Sequence, residues 1–139
     1  MDRFHHYLLR LYNVHKKINL KNFNNIGLSQ GQPKIIELLL YNDGCSQKDL
    51  AKACELQPAT MSALLKKMEN DKLIHRVSEN LSNGTHITRV FMTHIGKELA
   101  FQILEYVDQV EELCFNGFSN EEKEQCLIYL NRIYKNLQN

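Results

Sequence analysis

The chain has 139 residues, 43% of them hydrophobic and 24% charged, which is enough for one domain with a core and short for two. No apolar run approaches the ~18 residues of a membrane span, and the start, Met1-Asp2-Arg3-Phe4-His5-His6, lacks the apolar stretch of a signal peptide. Cys45, Cys54, Cys114 and Cys126 form no C-x-x-C pair, so the composition favours a cytoplasmic, non-membrane domain with reduced thiols over a disulfide scaffold. The net charge of +1 hides an asymmetry. Residues 1–56 carry 8 basic and 5 acidic side chains, residues 57–94 carry 5 and 3, and residues 95–139 carry 4 and 8. A basic first two-thirds and an acidic end hint that one face meets a polyanion.

Phe4, Leu8, Leu11, His15 and Ile18 recur at helical spacing, with Tyr7 and Val14 widening the stripe, and predict a helix over 3–22. The heptad-like seam suits packing against other helices, including another subunit's, and His15 inside it reads as a packing residue. The turn-rich Asn22–Gly27 segment ends the helix. Ser29 is the expected cap of a second helix to about Tyr41, whose apolar content is Ile35, Ile36, Leu38, Leu39 and Leu40. Asn42-Asp43-Gly44 breaks it, and Ser46-Gln47-Lys48-Asp49 resembles a capping box opening a short helix through Cys54. Pro58 suits the first position of a third helix to about Asn70. Two short helices separated by about three residues have helix-turn-helix spacing.

The period then changes. Residues 73–78 are strand-like, Asn83-Gly84 signals a hairpin, and Thr85 to Thr93 carries Ile87, Val90 and Phe91. Thr93 suits the cap of a long helix with Ile95, Leu99, Ile103, Tyr106, Val110 and Leu113 on one stripe. Ser119-Asn120-Glu121-Glu122 is a second capping box, opening a helix expected to bury Leu127, Leu130, Ile133, Tyr134 and Leu137. The fold class is therefore mainly α with a small β-wing, a winged helix-turn-helix flanked by terminal helices.

In the central pair, Leu50, Cys54, Leu56, Met61, Leu64, Leu65 and Met68 supply the expected buried faces, and small Ala51 permits close approach. Ala59, Thr60, Ser62, Ala63, Lys66 and Lys67 point outward. Hydroxyls and backbone N–H groups at a helix start bind phosphates, and Lys66 and Lys67 add charge one turn on. The same lysines also suit an ordinary solvated face, with Glu69 and Asp71 beside them.

Leu28-Ser29, Asp49-Leu50-Ala51, Thr60-x-Ser62, Lys67-Met68-Glu69-Asn70-Asp71-Lys72-Leu73-Ile74-x-Arg76 and Met92-Thr93-x-x-Gly96 together resemble the MarR family of bacterial transcriptional regulators in order and spacing. The resemblance covers nearly the whole chain. It implies one 1–139 domain, with a winged helix-turn-helix over 29–93 and a helical dimerisation region over 1–26 and 94–139. It implies a homodimer reading a pseudo-palindromic double-stranded DNA operator, expected to be a repressor that a small-molecule effector or another signal releases. The recognition helix falls on Pro58–Asn70 and the wing on His75–Thr93. The expected DNA contacts are Gln57, Ala59, Thr60, Ser62, Ala63, Lys66, Lys67, Arg76, Asn83, Gly84, His86 and Arg89.

Three departures stand out. Gly84 and His86 occupy the positions of the family's wing Asp and Arg, which leaves Arg76 without the wing Asp as a partner. The wing is about two residues longer than usual. Glu55 stands at a turn position where Gly is usual, and Ala63 where a longer polar residue is frequent. Arg89 or a protonated His86 is the expected substitute in the wing, and weaker or more salt-sensitive DNA binding follows. The same departures keep open an alternative in which the winged helix has become a protein-interaction module.

For sensing, the resemblance implies a cleft between dimer helices and winged helix, with Tyr12, His15 and Ile36 as expected lining. Cys45, one residue before the Ser46 cap, is the redox candidate, because a helix N-terminus favours a thiolate. Cys54, Cys114 and Cys126 read as small core residues. His5 and His6 lack a ligand-type partner four residues on, and no metal or cofactor site is expected. With no Gly-rich phosphate loop, G-x-S-x-G or H-E-x-x-H, the chain does not read as an enzyme.

Overall fold

The computed structural model describes residues 2–138; Met1 and Asn139, the ends of the expected domain, lie outside the described residues. The elements run α1 (Phe4–Asn24), α2 (Gln32–Tyr41), α3 (Gln47–Ala53), α4 (Pro58–Asn70), β1 (Ile74–Asn80), β2 (His86–Met92), α5 (His94–Cys114) and α6 (Asn120–Gln138). The chain divides into two compact units, one ending at Tyr106 and one beginning at Val107, with the boundary inside α5.

In the first unit the core forms where α2, α3, α4 and the wing supply apolar faces. Ile35, Ile36, Leu39, Met61, Leu65, Met68, Val90 and Ile103 are fully buried. The helix ends follow local chemistry. Ser46 Oγ accepts the Asp49 N–H at 3.0 Å, and Thr93 Oγ1 accepts the Gly96 N–H at 3.1 Å. The expected Ser29 cap is corrected. Ser29 donates its own N–H to Gln32 Oε1 at 3.0 Å, and α2 starts after Gly31, which sits at φ 91°.

Three helices end in the same motif. Leu28, Leu56 and Leu73 donate their N–H groups to Phe23, Ala51 and Met68 carbonyls at 3.0, 2.9 and 2.9 Å, a 6→1 closure that caps the orphan carbonyls. The preceding residue must be left-handed. Gly27 takes that conformation in α1 at φ 77°, but Glu55 and Lys72 take it at φ 55° and 60° without being glycine. The position where Gly is usual is thus a left-handed one that Glu55 occupies.

β1 and β2 pair antiparallel from Ile74–Met92 to Asn80–His86. Leu81 donates to Thr85 O at 2.8 Å and Gly84 to Leu81 O at 2.9 Å, making a three-residue connection with Gly84 at φ 84°. On its other edge β2 meets the segment before α3. Gly44 donates to Val90 O at 2.8 Å and Val90 to Cys45 O at 2.9 Å, so the segment after α2 is tied to β2 by an isolated antiparallel bridge, Ser46 opposite Arg89.

In the second unit the α6 capping box is complete: Ser119 donates its N–H to Glu122 Oε1 at 2.8 Å and receives the Glu122 N–H on Oγ at 3.0 Å. These bonds hold the Glu122 carboxyl below the usual carboxylate range. Lys123 sits 3.4 Å from Glu111 and over the Phe115 ring. Of the α6 stripe expected to be buried, Leu127, Leu130, Tyr134 and Leu137 are exposed and Ile133 is half-buried.

Candidate nucleic-acid interface

The Gln57–Pro58 step sets up α4. Gln57 is extended at φ −66°, ψ 148°, and Pro58 follows at the first helical position, where its missing N–H costs nothing. Met61, Leu65 and Met68 anchor one side of α4 in the core at 0% exposure, and Leu64 is half-buried beside them. The helical period then sends the other side outward. Ala59, Thr60, Ser62, Ala63, Lys66 and Lys67 are all exposed, as is Gln57 just before them. Ala59, Thr60, Ala63, Leu64 and Lys67 share one shallow depression on this surface.

Beside it, a cleft of about 440 Å³ separates the starts of α3 and α4 from the wing. Gln47, Lys48, Pro58, Thr85, His86 and Thr88 are on its walls. The structure thus brings His86 close to the start of α4. Asn83 and Gly84 lie exposed at the wing tip, where Asn83 Oδ1 accepts the Thr85 N–H at 2.9 Å. His86 Nδ1 meets Asn80 Oδ1 across the strand pair at 2.9 Å.

The two wing arginines are engaged within the chain. Arg89 is bonded to the Glu79 carboxylate and, through Nη1, to the Gly44 carbonyl at 3.1 Å. Arg76 is bonded to the last turn of α4 and to the start of α3. Its Nε and Nη2 both donate to Glu69 Oε1, at 3.0 and 2.6 Å, its backbone N–H donates to Glu69 Oε2 at 3.2 Å, and Nη1 donates to Gln47 Oε1 at 3.2 Å. These hydrogen bonds from Arg76 hold the Glu69 carboxyl below the usual carboxylate range. The partner that the wing fails to provide for Arg76 is therefore on α4. Sequence reasoning quoted Glu69 and Arg76 in one motif without pairing them. The available signal was an acidic residue one turn before a left-handed helix end, which folds the chain back on itself. Sequence reasoning also missed Asp43, whose Oδ1 accepts the Met92 N–H at 2.8 Å.

Tyr12 and His15 line a cavity of about 230 Å³ between α1 and the Ser29–Lys34 segment, together with Lys16, Asn19 and Phe23. Ile36 is corrected: it is 0% exposed in the core and lines no part of that cavity. His15 is exposed in the single chain, and its Nδ1 lies 3.2 Å from Asn19 Nδ2.

The surroundings of Cys45 do not supply the thiolate stabilisation expected of a helix N-terminus. Burial pushes its thiol above the ordinary value, and the nearby Asp49 and Asp43 carboxylates push in the same direction, against a smaller opposite effect of a backbone hydrogen bond. Burial raises the Cys54 thiol as well. None of the four cysteines is a fully buried core residue, and Cys114 is exposed. Among the described residues, no group of three or more His, Cys, Asp or Glu side chains is arranged to hold a metal, and no helix is long and apolar enough to cross a membrane.

Comparison with known proteins matches residues 28–80 to the MarR family. The match covers 53 of the 139 residues. The matched segment runs from the end of α1 through β1 and so contains α4 and the Glu69–Arg76 pair. Beyond it, the chain is 26% identical over 116 residues to the HTH-type transcriptional regulator YybA of Bacillus subtilis (strain 168), covering 84% of this chain and 76% of that one. The fold is that of solved MarR-type structures. The S. aureus MepR–DNA complex superposes with a TM-score of 0.86 at 22% identity, covering 99% of both chains. A MarR-family regulator from Listeria monocytogenes, complexed with 26mer DNA, superposes with a TM-score of 0.84 at 20% identity, covering 99% of this chain and 90% of that one.

Proposed function

We propose that the protein is a sequence-specific DNA-binding transcriptional regulator that acts as a homodimeric repressor on a pseudo-palindromic operator. The observation that carries this reading is α4. A fully buried Met61, Leu65 and Met68 side holds the helix rigidly, while Thr60, Ser62, Lys66 and Lys67 stand free on the opposite side. Thr60 and Ser62 supply hydrogen bonds near the helix start, and the lysines supply the charge that phosphates require. Gln57, Ala59 and Ala63 border the same surface, Asn83, Gly84 and His86 form the wing's approach, and Arg89 contributes only when it leaves Glu79.

The terminal helices support the dimer. Phe4, Leu8, Leu11 and Val14 on α1 are 51%, 51%, 63% and 59% exposed, and α6 leaves its own apolar stripe uncovered, more than a soluble monomer ordinarily tolerates. The cavity beside Tyr12 and His15 is the proposed place for a releasing small molecule. Selection of bound sequences from a random DNA library tests the main reading. An enriched pseudo-palindrome with half-sites about one helical turn apart supports it, and no enrichment from folded, dimeric protein refutes it.

One observation favours a second reading as a protein-docking module: Glu69 and Glu79 neutralise both wing arginines. A salt titration separates the two, because DNA binding leaves a steep logarithmic slope that a docking module lacks.

A further inference from the structure

We propose that Glu69, Arg76 and Gln47 form a positioning clamp that sets the angle between the recognition helix and the wing, and that Arg76 acts on DNA binding only through this geometry. The inference rests on the DNA-binding reading above and concerns how its two contacting elements are held in register.

Three elements meet at one guanidinium. Glu69 is on the last turn of α4, Gln47 opens α3, and Arg76 is the third residue of β1. Arg76 spends Nε and Nη2 on Glu69 and Nη1 on Gln47, and its own N–H closes onto the second Glu69 oxygen. Both Glu69 oxygens are thereby occupied, and the pair is sheltered, with side-chain exposures of 21% for Arg76 and 32% for Glu69. The planar fork of arginine suits this task, since it holds two partners in fixed directions where a lysine makes one undirected contact.

The clamp spans the place where the chain would otherwise pivot. Between α4 and β1 lie Asp71, Lys72 and Leu73, and Lys72 is left-handed at φ 60°. DNA offers the protein a groove and a flanking backbone at a fixed spacing, so a helix and a wing that are free to rock lose affinity to the cost of ordering them. An arginine already bonded to a carboxylate and an amide is a poor phosphate ligand, because each bond to phosphate requires breaking one within the chain.

The two roles for Arg76 predict opposite signs for one substitution. If Arg76 were a phosphate contact restrained by Glu69, then Glu69→Ala would release it and also remove a negative charge, so DNA would bind more tightly. For a positioning clamp the same substitution weakens binding in spite of the favourable charge change. The experiment measures operator affinity by fluorescence anisotropy for the full chain, Glu69→Ala, Glu69→Gln and Arg76→Ala, across a salt series. Each protein is checked for native circular dichroism and assayed at least 15 °C below its own melting temperature. The expected result is a loss of about tenfold for Glu69→Ala and for Arg76→Ala, the scale of about 1.4 kcal/mol of lost preorganisation, with the salt slope unchanged in both. Glu69→Gln, which keeps an acceptor for the guanidinium, falls between wild type and Glu69→Ala.

Tighter or unchanged binding by folded Glu69→Ala overturns the clamp. So does a fall of about 0.9 in the salt slope of Arg76→Ala, which marks one lost phosphate contact. If the unsubstituted protein itself enriches no sequence, the DNA-binding reading fails first and the clamp falls with it. Normal wild-type binding with any of the other contrary results removes the clamp alone.

Discussion

Gly96→Ala is expected to destabilise the protein, although alanine is the better helix former. Gly96 lies in the first turn of α5, where a Cβ would meet the Leu73 carbonyl oxygen at 2.2 Å and its carbon at 3.3 Å. That oxygen is backbone and already occupied. It accepts the Thr93 N–H at 3.0 Å and lies 3.0 Å from the Thr93 hydroxyl, which in turn caps α5. Relieving the clash moves α5 and β1 apart by about 1 Å, beyond the reach of both contacts. Overpacking of this kind costs about 1–3 kcal/mol. The two weakened hydrogen bonds add about 1 kcal/mol each. Helix propensity returns about 1 kcal/mol. The net loss is about 2–4 kcal/mol, or a fall in melting temperature of about 6–12 °C for a chain of this length. Thermal unfolding by circular dichroism, at one fixed protein concentration because a dimer's stability depends on it, reads the change directly. Gly84→Ala serves as the control, since a Cβ there meets nothing within 4 Å and only the positive φ resists it. A Gly96→Ala variant that melts at or above the wild-type temperature would refute the close approach of α5 to the Leu73 carbonyl.

Lys72→Gly is expected to stabilise by about 0.5 kcal/mol, since relief of a left-handed L-residue, about 1–2 kcal/mol, exceeds the entropy glycine adds to the unfolded chain. A urea unfolding midpoint that drops counts against that assignment of strain. The Glu69 carboxyl lies lower in the folded than in the unfolded protein, so its contribution is complete above the unfolded value near ~4.3 and disappears as pH falls through the folded value. The stability gap between wild type and Glu69→Gln is therefore flat from about pH 7 to 5 and closes below about pH 4; a gap that widens in acid contradicts it. Cys45 and Cys54, with thiols pushed upward by burial, should alkylate more slowly than glutathione at pH 7 and gain speed in alkali. Mass spectrometry that finds Cys45 labelled first and fastest would restore it as a redox candidate.

What was legible in the sequence is what acts over a few residues. Pro58 and the buried spacing of Met61, Leu65 and Met68 define α4, whose observed span, Pro58–Asn70, is the expected one. Ser46, Thr93 and Ser119 cap as their neighbours predict, because a hydroxyl at the N-cap position lies within reach of the N–H three residues on. Asn83 and Gly84 lie at the wing tip because a tight turn needs a residue at positive φ. The start of α2 differs because Gly31 at φ 91° is the residue from which the helix opens, so that Ser29 and Gln32 make only half of a capping box, the Ser29 N–H to Gln32 Oε1.

The tertiary structure decided what depends on residues distant in sequence. Whether Ile36 faces a cavity or the core, and whether Cys45 feels a helix dipole or burial and two carboxylates, depends on what packs around it. Asp43 finds Met92, Gly44 and Cys45 find β2, and Arg76 finds Gln47, across separations of 29 to 49 residues. Turn and cap energies are written in adjacent side chains, whereas desolvation and ion pairing exist only once the chain has closed and the dielectric around each group is set. The bonds of Arg76 to Glu69 and Gln47 are thus set by folding and not by its neighbours in sequence.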